Sequence, residues 1–134
     1  MIDFEKMRFL INRLPRIQWD IEKAGAQATK ITSVLTGMPR GSGNHSQTED
    51  GAIKLATLKD VYKETLSELD KMSKELEPLV DMLDDPDDRA VIRLRYLYRY
   101  SIDSIADSIH RSERAIYYYL RRAERGIEKL QQNR

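Results

Sequence analysis

A chain of 134 residues with 34% charged and only 7% aromatic residues has material for one ordinary domain, or for a small domain carrying an extended helical arm. It holds no cysteine, which excludes disulfide frameworks and thiolate metal sites and suits a reducing cytoplasm. The net charge of +1 conceals an asymmetry: residues 89–134 carry ten Arg and one Lys against five acids, a net +6, while residues 1–88 carry a net −5. A basic end built almost wholly from Arg suits bidentate contacts to phosphates or bases.

No apolar run approaches the ~20 residues that span a bilayer. The opening MIDFEKMRFLINRLPR has neither a clean apolar h-region nor a small-residue cleavage site, so no secretion signal is expected. A cytoplasmic protein without membrane attachment follows as the expectation.

Residues 3–36 read as helical. Asp3 can cap the start, and apolar residues recur at Phe4, Met7, Ile11, Leu14, Ile17, Ile21, Ala24, Ala28, Ile31 and Leu35. These steps of three and four leave the polar residues on the other face. Pro15 predicts a kink or a restart, and Gly25 weakens the helix by about 1 kcal/mol relative to Ala. Thr36–Asp50 (TGMPRGSGNHSQTED) is the clearest break, with three Gly, one Pro and a polar cluster that favour a flexible hairpin loop. It lacks the G-x-x-x-x-G-K-[ST] pattern and a preceding strand, so it does not read as a phosphate loop. His45 and His110 lie far apart in a chain without Cys, and no metal site is expected.

The strongest periodicity follows. Leu55, Leu58, Tyr62, Thr65, Leu69, Met72, Leu76, Leu79 and Leu83 alternate steps of three and four, a coiled-coil-like seam of about four heptads. Its partner is either the first helix, folded back across the 36–50 loop, or a second chain, with a homodimer favoured. Pro78 predicts a kink or a new segment. Asp84-Asp85-Pro86-Asp87-Asp88 then forms a turn whose acids suit the start of the next helix. That helix, about 87–99, is predicted to bury Ala90, Val91, Leu94, Leu97 and Tyr98 and to present Arg89, Arg93, Arg95 and Arg99 outside.

Ser101 can cap a helix from Ile102 to Ile109 with Ile102, Ile105, Ala106 and Ile109 on one face. After a turn at His110-Arg111, Ser112 can cap a second helix over about 113–131, burying Ala115, Ile116, Tyr119, Leu120 and Ala123. Two short helices joined by a tight turn, the second rich in Arg and Tyr, form the helix-turn-helix pattern, whose second helix lies in the DNA major groove. Glu113, Arg114, Tyr117 and Tyr118 are the expected base-contacting residues. Arg95, Arg99, Arg111, Ser112, Arg121, Arg122 and Arg125 are the expected backbone contacts. No paired carboxylates, nucleophile–base set or cofactor motif stands out, and neither catalysis nor a cofactor is expected.

Residues 89–130 resemble region four of bacterial sigma factors. The shared features are Leu94-Arg95-Tyr96-Leu97, then Ser104-Ile105-Ala106, then Ser112-Glu113-Arg114-Ala115-Ile116. With the loop Met38-Pro39-Arg40-Gly41-Ser42-Gly43, the layout is similar to short phage and prophage proteins of the ArpU and RinA kind, which are late-operon transcriptional activators. Two departures stand in the turn, where His110 replaces the usual Gly and Arg111 the usual apolar staple.

The expected architecture is therefore all-α: an N-terminal helical hairpin, residues 1–84, followed by a three-helix helix-turn-helix domain, residues 85–134. The resemblance implies a sequence-specific, double-stranded DNA-binding transcriptional regulator, and it does not decide whether host RNA polymerase is a further partner. The alternatives are a small-terminase-like DNA-packaging recognition subunit and a polymerase- or sigma-binding adaptor that does not touch DNA.

Overall fold

The structure, a computed structural model, describes the backbone of residues 1–37 and 43–133 and the side chains of residues 1–26 and 50–133. It is all-α. The helices are α1 (Phe4–Gly37), α2 (Gly43–Asp81), α3 (Pro86–Ile92), α4 (Ile102–Ile109) and α5 (Glu113–Gln132), with a π-helical turn at Arg93–Leu97 directly after α3. No strand occurs among the described residues, and no described helix is long and apolar enough to cross a membrane.

Both long helices continue through their prolines, Pro15 in α1 and Pro78 in α2. The expected loop over 36–50 is shorter than its composition suggests. Gly37 still belongs to α1, and Gly43–Asp50, His45 included, already belongs to α2. Residues 38–42, which hold most of the glycine-containing motif, lie outside the described residues.

The chain divides into two compact units, Asn12–Ser67 and Met1–Ile11 with Glu68–Arg134. In the first, parts of α1 and α2 line a shared groove formed by Trp19, Asp20, Lys23, Ala24, Lys54 and Leu58. Leu14, Ile17 and Ala24 are buried on α1. On α2, Thr65 is buried with its hydroxyl donating to the Val61 carbonyl at 2.7 Å, while Leu55, Leu58 and Tyr62 are half-buried.

The second unit gathers both ends of the chain. Phe4, Met7, Leu10 and Ile11 are buried there, as are Leu69, Leu76, Leu79, Val80 and Leu83 from α2 and Ile116, Leu120, Ala123 and Ile127 from α5. The Lys6 ammonium pairs with Glu68 at 2.6 Å, and the backbone N–H of Ile2 donates to Gln131 Oε1 at 3.2 Å. Gly126 lets α5 pass close to the end of α2: a Cβ there would stand 2.9 Å from Leu83 Cδ2. The boundary expected between residues 84 and 85 falls inside this unit, which begins its second stretch at Glu68.

Each short helix begins where its sequence supplies a cap. Asp85 accepts from the backbone N–H groups of Asp87 (2.8 Å) and Asp88 (3.4 Å), and Pro86 opens α3 at a position where no N–H is needed. The guanidinium of Arg89 donates to the carbonyls of Leu83 and Asp84 and so covers acceptors just past the end of α2.

The helix expected over about 87–99 is present from Pro86 to Leu97 but is not α throughout. After Ile92 the backbone widens into the π turn, with the N–H of Tyr98 bonded to the Arg93 carbonyl at 2.9 Å. A π turn takes up about one residue more than an α turn, so it shifts the phase of the buried face. The buried set becomes Val91, Ile92, Arg95 and Tyr96, with Ala90, Leu94 and Leu97 half-buried. Tyr98, expected inside, is 64% exposed, and Arg95, expected outside, is 8% exposed.

Candidate nucleic-acid interface

α4 and α5 are set by two matching caps. The Ser101 hydroxyl accepts from the Ser104 N–H at 3.2 Å, and the Ser112 hydroxyl accepts from the Ala115 N–H at 3.2 Å. Between them His110 adopts the left-handed conformation, φ 56° and ψ 47°. The Arg111 N–H then returns to the Ala106 carbonyl at 3.1 Å, the closing bond of a Schellman-type helix end. The apolar contact that usually accompanies such an end is missing, because Arg111 is exposed. Ile105 and Ala106 from α4 and Ile116 and Leu120 from α5 are buried, and Ile102, Ile109, Ala115 and Tyr119 are half-buried.

Burying that side turns the opposite side of α5 outward. Arg114, Tyr117, Tyr118, Arg121 and Arg125 are exposed and recur at helical spacing along one face. Glu113, Arg114, Tyr117 and Arg121 line one shallow concavity. Tyr118, Arg121, Arg122 and Arg125 line a second, so Arg121 is common to both. Among the described residues, no acid lies within ion-pair distance of Arg111, Arg114, Arg121 or Arg125. These four cations are therefore available to an external anion.

The remaining arginines expected on this surface have internal partners. Arg95 is buried, and its Nη1 donates to the Tyr100 carbonyl at 3.0 Å. Arg99, itself left-handed at φ 62°, pairs with Asp70 at 2.9 Å. Arg122 places Nε 2.9 Å from both carboxylate oxygens of Asp88 and Nη2 2.9 Å from Asp85 Oδ2. Its guanidinium also lies 5.3 Å and 5.5 Å from the ring centroids of Tyr118 and Tyr119. The Ser112 side chain is committed to its cap.

Two groups escaped the sequence reading. One is an acidic edge beside the start of α5: the Glu113 carboxyl is raised above its ordinary pKa, first by a hydrogen bond with Asp103 and then by repulsion from Asp103, with burial and Asp107 adding to it. The other is a polar node behind α5. The Tyr96 hydroxyl donates to Glu124, and Arg8 Nη1 reaches Glu124 Oε1 at 2.7 Å and the Tyr96 hydroxyl at 3.1 Å. Nothing in local spacing joins Arg8 to Glu124. Asp103 and Glu113 lie ten positions apart on different helices, and the packing of α4 on α5 brings them together. No cluster of three or more metal-ligating side chains occurs among the described residues.

An all-α chain with a capped helix pair and an arginine-tyrosine face defines the general class. The chain belongs to the family described as "Protein of unknown function (DUF1492)", whose model matches residues 30–128. No curated protein and no solved structure matches the chain.

Proposed function

We propose that this protein is a sequence-specific, double-stranded DNA-binding transcriptional regulator of phage or prophage origin, cytoplasmic and without catalytic activity. One observation carries the proposal. Four arginines without acidic partners, Arg111, Arg114, Arg121 and Arg125, accompany two exposed tyrosines on and beside one face of a helix entered through a tight turn. A duplex offers such a face phosphates for its guanidinium groups and base edges for its longer side chains.

Within this reading α5 enters the major groove. Arg114 pairs with guanine, Glu113 accepts from an exocyclic amine, and Tyr117 and Tyr118 pack on base or sugar edges. Arg111, Arg121 and Arg125 hold phosphates. The hairpin of unit Asn12–Ser67, with Leu55, Leu58 and Tyr62 only half-buried, supplies homodimer contacts, and host RNA polymerase is the further partner.

Titration of a duplex selected from a random pool, repeated across salt concentrations, tests the proposal. Three or four neutralised phosphates per protomer give a slope of log affinity against log salt of roughly −3. A slope near zero overturns it. Arg114→Ala should relax preference at one base position, whereas Arg125→Ala should weaken all sequences alike and reduce the slope by about one.

A further inference from the structure

Arg122 sits in the middle of the arginine run on α5, yet its surroundings differ from those of its neighbours. Its Nε faces both oxygens of the Asp88 carboxylate, and its Nη2 reaches Asp85 at 2.9 Å and Asp88 at 2.8 Å. Asp88 is buried, at 6% exposure, and Asp85 also caps α3. One cation thus stands among two acids, and the local charge offered to a phosphate is negative. Drawing Arg122 away would leave a buried carboxylate without its counter-charge, which is more costly than leaving a surface ion unpaired.

The same guanidinium lies against the rings of Tyr118 and Tyr119, which meet edge to face with centroids 5.9 Å apart. Tyr118 is 55% exposed. A cation held over an aromatic face restrains that ring. We infer that Arg122 is a positioning residue: clamped to the start of α3 by Asp85 and Asp88, it holds Tyr118 in place for a nucleic-acid partner and makes no phosphate contact itself. This rests on the DNA-binding reading of α5, within which it assigns Tyr118 a fixed orientation and removes Arg122 from the backbone-contacting set.

Salt-dependent duplex titration of the full chain separates the two roles. Arg122→Gln risks leaving Asp88 unpaired, so the decisive variant is Asp88→Asn with Arg122→Gln, which exchanges the ion pair for two neutral groups at unchanged net charge. Its folding is checked by circular dichroism. The expected result is an affinity loss of several-fold with the salt slope unchanged, while Arg125→Ala, the phosphate reference, reduces the slope by about one. Adding Tyr118→Ala to the paired variant should weaken binding no further than the worse of the two changes made separately, within about twofold, because Arg122 and Tyr118 act as one unit.

A slope reduced by about one in the paired variant, or fully additive losses with Tyr118→Ala, overturns this inference and leaves the functional reading standing. Absence of salt-dependent duplex binding by the unmodified protein overturns both.

Discussion

The ring of Phe4 packs against the ring of Tyr96 with centroids 5.1 Å apart and planes tilted by 55°. The contact ties the first turn of the chain to the π turn that precedes α4. Beside it, Arg8 joins Tyr96 and Glu124 in a polar node. The start of α1 is therefore part of the body that carries the arginine face.

Phe4→Ala should lower the stability of that unit by about 3 kcal/mol, the usual cost of emptying a buried aromatic site. Urea unfolding should show a lower midpoint with the slope retained. A fragment beginning at residue 85 should lose its cooperative transition, since it lacks Phe4, Met7 and Leu76, all buried in this unit. A fragment that unfolds as cooperatively as the full chain would show the N-terminal turn to be dispensable.

Tyr96 gives a pH signature. Burial, then its hydrogen bond to Glu124, pushes its phenol well above the ordinary range, and Arg8 only partly opposes them. The folded state thus retains a proton that the unfolded chain releases. The contribution is fully present below the ordinary phenol value of about 10 and fades as pH rises above it toward the folded value. Stability measured from pH 8 to 11 should therefore fall, and Tyr96→Phe should flatten that fall.

Glu113 behaves in the same sense at lower pH. Its carboxyl is raised by hydrogen bonding to Asp103 and by repulsion from that acid. Its favourable contribution is complete below the ordinary carboxylate value and declines as pH rises through the raised one. Asp103→Asn should remove part of that decline and raise the midpoint of thermal unfolding at neutral pH. Within the DNA-binding proposal it should also tighten duplex binding at low salt, because it removes a negative charge beside the arginine face. A midpoint unchanged between pH 4 and 7 in both proteins would contradict the coupling.

His110 holds a backbone conformation that costs a residue with a Cβ about 1 kcal/mol or more. His110→Gly removes that strain but adds freedom to the unfolded chain, so the net gain should be about 0.5–1 kcal/mol. His110→Val, β-branched at positive φ, should destabilise by more than that. Both are measurable by urea denaturation.

Much of this architecture can be read from short-range chemistry. Ser101 and Ser112 each cap the helix that follows, because the capping bond spans only three residues. The seam from Leu55 to Leu83 is half-buried or buried along its length, since burial follows helical period wherever the helix stays regular. Regularity failed after Ile92. The π turn moved Arg95 inside and Tyr98 outside, and no composition rule marks where a helix widens.

The sequence by itself determined the helical order, the caps at Ser101 and Ser112, and the departure of the 110–111 turn from glycine. These depend on residues a few positions apart. Only the tertiary structure decided which arginines remain available. Arg122 and Arg125 are indistinguishable as members of a basic helix, yet one is held by Asp85 and Asp88 and the other has no acid within ion-pair distance among the described residues. The difference is made by α3 packing on α5, which brings together charges more than thirty positions apart. Coulombic pairing depends on distance in space, and along the chain that distance is invisible.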